Sequence, residues 1–474
     1  MKILFIYPGN ISTEQPLGLL YISAVLKKNG HKTTLFHLTP YKLEKSIGLN
    51  YRCKRDLIKK IKSFKPNMIG FSVSSTEYPF SLELAKLIKK NFDIPIVFGG
   101  PHPTVDPLNT IEEDCIDVVC IGEGEGAIAQ LVTNMEEGKS IVNIKNLWVK
   151  NNGKIFKNDV SPLIQNLDAL PYPDRELIGN KFYIENRYGS ISFITGRGCP
   201  FQCSYCINTH VRNLYKNRGQ YIRFRSVKSI IKEIKETVKR YKNRTVVFSD
   251  DTFTLDKQRT IEFCNIYKKE ICLPFLCQTR ANVVDGEVLK VLKDAGCELV
   301  SFGIESGNDF IRNGVLKRGM TNETIVTAFK LAKDVGLKTG SFNMIGIPFE
   351  TEKEIWDTIN INRIVNPDLL HCTVLMPLKG TEIGRLCERN GWIKEKISES
   401  YYTTVTQELP TISSQKLFAY QLLFELYVRL PKKYYPLVNF LKTVLAHVPK
   451  NNNIRRVVYY TFQKLNKAII KVAA

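Results

Sequence analysis

The chain has 474 residues, 43% hydrophobic and 10% aromatic, an ordinary globular composition that excludes a collagen-like chain or one disordered throughout. At a typical ~150 residues per domain, this length makes about three structural units. Lysine and arginine number 68 against 46 acids, a formal charge of +22, so nucleic acid, anionic lipid and phosphorylated substrates all have to be weighed as partners.

The opening MKILFIYPGN has only a short apolar run, without the longer apolar region and cleavage site of a signal peptide, and is expected to form a first β-strand. No stretch approaches the ~18 to 20 uncharged apolar residues of a transmembrane helix. Twelve cysteines without an export signal are expected to be reduced thiols or metal ligands, and the expected location is cytoplasmic.

From residue 1 to 135, β-branched runs at Lys2–Tyr7, Thr33–Leu38, Asn67–Ser74, Pro95–Phe98 and Asp117–Cys120 alternate with amphipathic stretches such as Gly18–Asn29 and Phe80–Asn91. This alternation predicts a doubly wound, Rossmann-like parallel sheet. Ligands bind such sheets beyond the carboxyl ends of the strands, here Pro8-Gly9-Asn10, Ser72 to Ser75, Gly99 to Thr104 and Gly122 to Gly126. Residues 136–189, punctuated by Asn151-Asn152-Gly153, Pro162, Pro171 and Pro173, are expected to form a linker or small connecting unit.

A second alternation occupies 190–395, with strands expected at Ser192–Thr195, Thr245–Ser249, Phe275–Thr279, Leu299–Ile304, Thr339–Ile345 and Leu370–Met376. Six strand-then-helix units predict a partial (β/α)6 barrel of the TIM type, with its site at the C-terminal ends of the strands. Residues 396–474 form a helical C-terminal region. From Thr411 onward, Glu425 is the only acid beside Lys432, Lys433, Lys442, Lys450, Arg455, Arg456, Lys464, Lys467 and Lys471, so a basic helical appendage is expected.

The strongest chemical signal is Gly196-Arg197-Gly198-Cys199-Pro200-Phe201-Gln202-Cys203-Ser204-Tyr205-Cys206, directly after the first strand of the second alternation. Three thiolates on one tight loop can ligate three irons of a [4Fe–4S] cluster and leave the fourth open to a small molecule. The alternative is structural zinc, with His210 as fourth ligand. Cys372, on the sixth strand and facing the barrel mouth or its wall, is a candidate hydrogen donor. The remaining cysteines read as small buried hydrophobes.

C-x3-C-x-aromatic-C at the head of a six-unit barrel resembles the radical S-adenosylmethionine (SAM) superfamily. Phe248 to Phe253, Gly303 to Gly307 and Gly346 to Thr351 are similar to what its cobalamin-binding branch carries at strand ends two, four and five. Pro16-x-Gly18-Leu19, Gly99 to Thr104 and Gly122 to Glu125 resemble that branch's cobalamin-binding domain. The resemblance spans about residues 1 to 395. It implies that the cluster, ligated by Cys199, Cys203 and Cys206, chelates SAM and cleaves it reductively to a 5′-deoxyadenosyl radical. It further implies that Tyr205 lies beside the adenine and that Asp250 or Asp251 bonds the SAM ammonium. Glu305 or Ser306 would bond the ribose or amino-acid portion, and Gly340 and Gly346 would allow close backbone approach to SAM or serve as turn punctuation. For cobalamin it implies contacts from Ser72, Ser74 and Thr104 to the nucleotide tail and room made by Gly122 and Gly124. The D-x-H-x-x-G motif that supplies histidine to cobalt is absent. His102 is therefore read as loop packing or a tail contact in preference to a cobalt ligand.

The expected function is a cobalamin-dependent radical SAM methyltransferase acting on an unactivated carbon of a small molecule, with a reducing electron donor protein as partner. The alternatives are oxidative cyclisation or rearrangement with the same cofactors, or a zinc-containing basic protein that binds RNA or membrane. The basic C-terminal region is either a helical lid with a solvated outer face or a peripheral membrane contact through Val428–Val448 and Ile454–Val472, which suits a lipid or isoprenoid substrate. Nucleic acid is disfavoured, because no RNA-module signature accompanies the charge.

Overall fold

The computed structural model describes residues 1–9, 15–37, 48–179, 190–242, 244–393, 405–450 and 452–473; Asn10, Leu38 and the side chains of Lys467 and Lys471 lie outside the description. The chain divides into two compact units, residues 1–199 with 210–247, and residues 200–209 with 248–474.

In the first unit, β1 (Lys2–Tyr7), β2 (Lys32–His37), β3 (Met68–Ser72), β4 (Ile96–Gly99) and β5 (Val118–Cys120) alternate, among the described residues, with the helices α1 (Leu17–Lys28), α2 (Gly48–Phe64), α3 (Tyr78–Asn91), α4 (Pro101–Val105), α5 (Pro107–Glu112) and α6 (Glu125–Glu136). The five strands pair in parallel. Their apolar residues run continuously because both faces are covered: Leu4, Ile6, Ile69, Phe71 and Phe98 pack with Leu57, Ile61, Leu84 and Ile88 in one core. The stretch expected as a linker supplies β6 (Leu147–Asn151) and β7 (Lys154–Lys157), which add to the sheet antiparallel. The order is β2-β1-β3-β4-β5-β6-β7, so the winding reverses between β1 and β3, where a doubly wound sheet opens its ligand crevice.

The remaining strands are β8 (Ser190–Phe193), the short pair β9 (Gly196–Arg197) and β10 (Arg223–Phe224), then β11 (Thr245–Phe248), β12 (Phe275–Thr279), β13 (Cys297–Glu305), β14 (Lys338–Ile345) and β15 (Leu369–Val374). Six of them run in the order β8-β11-β12-β13-β14-β15, each beside its successor, as a barrel built from repeated β/α units requires. The helices are α7 (Ile207–Leu214), α8 (Val227–Tyr241), α9 (Lys257–Glu270), α10 (Gly286–Asp294), α11 (Asn322–Asp334), α12 (Glu352–Val365) and α13 (Glu382–Arg389). Side chains of Asp256, Asp285 and Thr321 cap backbone N–H groups of α9, α10 and α11, and Thr351 with Glu354 forms a capping box on α12. Each such cap contributes ~1 kcal/mol and fixes where a strand-to-helix loop ends.

The C-terminal region corrects the expectation of an appendage. Of its helices α14 (Ser414–Arg429), α15 (Tyr435–Leu445) and α16 (Asn452–Ala473), the first is core: Leu417, Phe418, Tyr420, Leu423, Tyr427 and Val428 are buried with Ile345 of β14 and Val374 of β15. Apolar residues on every side of α14 explain this, since a helix hydrophobic all round is buried. Val428, which the membrane reading placed at the start of a surface helix, therefore faces protein. The Arg363 guanidinium donates to the carbonyls of Tyr427, Val428 and Leu430 and closes the end of α14. No described helix is long and apolar enough to cross a membrane.

Glu352 at the start of α12 binds the region electrostatically, accepting from Lys416 Nζ at 2.7 Å, Tyr420 Oη at 2.5 Å and Lys442 Nζ at 3.1 Å. Burial raises its pKa, but these three donors outweigh burial and hold it at about 2. The folded carboxyl is thus more acidic than the unfolded one, so its stabilisation is present above the ordinary carboxylate range and is lost as pH falls toward 2. Glu352→Gln is expected to lower stability at neutral pH by roughly 1–2 kcal/mol, discounted for solvent screening, because the side chain is 35% exposed. Thermal unfolding of variant and parent across pH 7 to ~2 checks this: the gap should close on acidification.

Candidate active site

The cysteine loop is built by its own backbone. Gly198 enters at φ 93°, and a Cβ there would lie 2.3 Å from the Tyr221 carbonyl oxygen, so only glycine fits. Cys206 N donates to Cys203 O at 3.1 Å, and Thr209 Oγ1 to the same oxygen at 3.0 Å. Ser204 anchors the loop, its N and Oγ donating to the Leu316 and Val315 carbonyls at 3.1 and 2.6 Å. Cys203 is buried, Cys199 and Cys206 are half-buried, and none of the three is in a disulfide.

Two buried arginines meet this loop. Arg280, directly after β12, places its guanidinium 3.7 Å from the Phe201 ring centroid and donates Nη1–H to Cys203 Sγ at 3.3 Å and Nη2–H to the Arg318 carbonyl. Arg318 Nη1 donates to Tyr205 Oη at 2.6 Å and lies 3.5 Å from Glu305 Oε1, while Nη2 donates to Gly303 O at 2.6 Å. Glu305 is aimed by a bulge: Gly303 pairs with Phe342 and Glu305 with Asn343, leaving Ile304 as the extra residue. The bulge sets Glu305 at φ 65°, where a non-glycine residue costs ~1 kcal/mol. Gly303 is needed beside it, since a Cβ would meet Glu305 Oε1 at 2.5 Å and Arg318 Nη2 at 2.9 Å. Burial raises the Glu305 carboxyl above its ordinary range, opposed by Arg318 and Tyr205; burial likewise pushes the Tyr205 hydroxyl well up.

Asp251 is open to solvent on one side and crowded on the others, so desolvation raises its carboxyl while the Asn208 side chain bonds it. Asp250 is buried, its carbonyl accepting from Gln278 Nε2 at 3.1 Å. Ser306 is wholly buried and turned toward α12, with its Oγ accepting from Asn308 N at 3.2 Å and lying 3.4 Å from Thr358 Oγ1. Gly340 adjoins Ser301, whose Oγ would be 2.4 Å from a Cβ. Gly346 has φ 73°, and the space beside it is filled by Leu417, Val374 and Gln407, so the turn itself requires glycine there. In that turn Glu350 Oε2 accepts from Gly346 N at 2.5 Å and Ile347 N at 3.2 Å. Burial raises the Glu350 carboxyl to about 8, so it is protonated at neutral pH.

In the first unit, Ser72 closes β3 at the switch point and Ser74 follows it, its Oγ donating to Glu77 Oε2 at 2.9 Å. Thr104 Oγ1 donates to Gly100 O at 2.8 Å and accepts from Gly122 N at 3.0 Å. His102 is buried, with Nδ1 3.1 Å from Ser75 Oγ and its ring 4.0 Å from that of Tyr78. Gly122 and Gly124 do leave room, but protein uses it: Cβ atoms there would meet Tyr215 Oη at 2.0 Å and Ile22 Cδ1 at 3.0 Å. Glu123 and Glu125 accept from Arg197 at 2.9 and 2.5 Å, and Glu123 also from Arg223 at 2.9 Å.

Residues 193–361 match the model of the radical SAM superfamily, and residues 12–132 that of the B12 binding domain. An uncharacterized methyltransferase of Pyrococcus horikoshii is 32% identical over 395 residues, covering 81% of this chain and 82% of that protein. The chain belongs to the radical SAM superfamily, in its cobalamin-binding branch. The anaerobic magnesium-protoporphyrin IX monomethyl ester cyclase of Rubrivivax gelatinosus is 27% identical and covers 80% of this chain and 68% of that one. Among solved structures, the radical SAM methyltransferase TsrM of Kitasatospora setae shares the fold, with a TM-score of 0.67, 18% identity and coverage of 83% and 77%.

As a radical SAM enzyme the chain takes a [4Fe–4S] cluster, SAM and cobalamin, and this replaces the zinc alternative. The residues around the thiol loop fit the cluster and SAM. Three thiols share one loop, and Cys203 accepts a hydrogen bond from a guanidinium, the partner an anionic thiolate calls for. Arg318 Nε and Glu350 Oε1 are buried without a hydrogen-bond partner among the described residues, which leaves bonding capacity for a polar ligand. Among the described residues no three His, Cys, Asp or Glu side chains are gathered as a single metal ion needs. Cys372 packs against the C-terminal helical core, and burial raises its thiol well above the usual range. It therefore packs in the barrel wall, where Glu350 and Glu305 also hold the thiol protonated.

Sequence reasoning missed Arg280 and Arg318. The first was findable as a charged residue at the C-terminal end of a barrel strand; the second lies in a loop without periodicity. Hydrogen bonds to cluster sulfurs raise reduction potential. Arg280→Gln is therefore expected to make the reconstituted cluster harder to reduce, by on the order of 50 mV for one lost charge-assisted bond. Redox titration followed by electron paramagnetic resonance measures it, and an unchanged potential would remove this role for Arg280.

Proposed function

We propose that the protein transfers a methyl group to an unactivated carbon of an apolar small molecule, a lipid or isoprenoid, with an electron donor protein supplying reducing equivalents. The observation that carries the reading is the identity to a methyltransferase across both cofactor regions. When bound, the cluster and SAM supply a 5′-deoxyadenosyl radical and cobalamin supplies the methyl carrier. We assign cobalamin to residues 1–135, with 136–189 as the connecting stretch, and the cluster and SAM to residues 190–395. Residues 396–474 are assigned to shaping the barrel side and meeting the membrane.

In this assignment Cys199, Cys203 and Cys206 hold three irons and Tyr205 flanks the adenine. Asp251, being open to solvent, accepts from the SAM ammonium in preference to Asp250, and Glu305 takes the ribose or amino-acid portion in preference to the inward-turned Ser306. Ser72, Ser74 and Thr104 border the tail site, with His102 packed beneath them and no histidine supplied to cobalt. The cyclase relative favours a second reading, oxidative cyclisation with the same cofactors.

Anaerobic protein reconstituted with iron, sulfide and cobalamin, given SAM labelled in its methyl group, a reductant and isoprenoid lipids, separates the readings. Methyl transfer predicts labelled product together with S-adenosylhomocysteine and 5′-deoxyadenosine. An unlabelled product that has lost hydrogen, with 5′-deoxyadenosine alone, would establish cyclisation instead.

A further inference from the structure

Most of the large exposed hydrophobic side chains among the described residues fall between 434 and 465. On α15 they form a stripe: Leu437, Phe440 and Val444 are 61%, 65% and 52% exposed, at the i, i+3, i+7 spacing that puts them on one face. The opposite face is the one that packs, with Val438 and Leu445 buried in the core of α14. Helix α16 repeats the pattern, with Ile454, Val457, Tyr460 and Leu465 exposed and Asn466 donating inward to the Leu422 carbonyl at 2.7 Å. Neither apolar face is needed to hold its helix, because each helix is already anchored on its other side.

The charge around these faces has one sign. Residues 431–474 hold nine lysines and arginines and no aspartate or glutamate. Lys442 and Lys450 pair with Glu352 and Glu408. Exposed Lys432, Lys433 and Lys464 meet no carboxylate among the described residues, and Lys433 lies 5.1 Å from the Tyr434 ring centroid. The stripe therefore begins beside two unpaired ammonium groups and an aromatic ring, while no acid in the segment would repel an anionic surface.

We propose that α15, supported by α16, is a docking face for an anionic lipid bilayer. Leu437, Phe440 and Val444 enter the acyl boundary, and Lys432 and Lys433 lie at the headgroups. Three considerations choose a bilayer over other partners. A second copy of this face would bring like charge against like charge. Nucleic acid would use the lysines and leave the aliphatic stripe in water. An apolar stripe flanked by lysines is the pattern that partitions into a lipid interface. This face is confined to α15 and α16, since α14 is committed to the core, so truncation before Ser414 would unfold the region instead of testing it.

The inference extends the proposed lipid substrate but is tested apart from it. Full-length reconstituted protein is floated with vesicles of phosphatidylcholine alone or of phosphatidylcholine with phosphatidylglycerol. The parent is expected to float only with the anionic vesicles. Lys432→Glu with Lys433→Glu should weaken partition by about tenfold or more, given ~1 kcal/mol per basic residue near the surface. Leu437→Ser with Phe440→Ser should weaken it at least as much. The altered residues are exposed, so melting temperature and 5′-deoxyadenosine formation should stay at parent values. Flotation that none of these substitutions changes, or its absence from the parent, would overturn the proposal. So would concentration-dependent self-association in sedimentation velocity that Leu437→Ser with Phe440→Ser abolishes, because the face would then belong to a second copy. Failure of methyl transfer with flotation intact would count against the proposed reaction and leave the docking face standing.

Discussion

The second unit is organised around a shortage of negative charge. Arg280 and Arg318 are both buried and share one hydrogen bond, from the guanidinium of the first to the backbone of the second. Two buried cations at that separation repel, and burial together with Arg318 lowers the pKa of Arg280. Glu305 answers one of them, and Cys203 presents its sulfur to the other. Buried charge persists only when paired, so these groups leave a positive excess beside the thiol loop, which suits a further anion there. Several local features serve this placement: the bulge at Ile304, the bare Cα of Gly303 and the anchoring of Ser204 on the segment before Arg318.

A second guanidinium system organises the first unit. Arg197, two residues before Cys199, is held by Glu123 on the loop after β5 and by Glu125 at the start of α6, and Arg223 shares Glu123. Glu233 similarly joins Arg175 and Arg225. The carboxyl-edge loop of the cobalamin-binding sheet and the entry to the cysteine loop are therefore parts of one folded body. Tyr215 strengthens the arrangement by filling the space over Gly122 and accepting from Glu123 N at 2.8 Å. Gly122 resembles a ligand-cradling glycine in sequence, yet here the space beside it is taken by an aromatic ring.

This contrast shows what the sequence could and could not reveal. Strands were legible because burial on both faces demands runs such as Ile3 to Ile6 and Val97 to Phe98, and the cysteine loop because its three thiols stand close together in the sequence itself. Ser72 and Ser74 were placed correctly at a strand end because topology alone fixes that edge. What fills the space beside a glycine depends on residues far away in sequence, as Leu417 beside Gly346 and Tyr215 beside Gly122 show. The arginine contacts were hidden for the same reason: Arg318 reaches Cys203 across 115 positions. The two strands within 136–189 were masked by turn residues, and α14 by the basic residues that follow it.

The net charge can now be given an address. Residues 431–474 carry nine of the 68 basic residues and no acid, so under a tenth of the chain holds about two fifths of the +22 excess. The radical SAM match ends at residue 361 and the B12 match at 132, so neither cofactor region includes this segment. Within the catalytic units, arginine is consumed in internal pairs with Glu123, Glu125, Glu233 and Glu305. Beyond α14, Glu352 and Glu408 answer Lys442 and Lys450, while exposed Lys432, Lys433 and Lys464 meet no carboxylate among the described residues. Charge that the fold pairs internally is structural, and charge that it leaves exposed beside apolar side chains is available to a partner. By that distinction Lys442 and Lys450 belong to the fold, and exposed Lys432 and Lys433, just before α15, are the charge left over beside its apolar face.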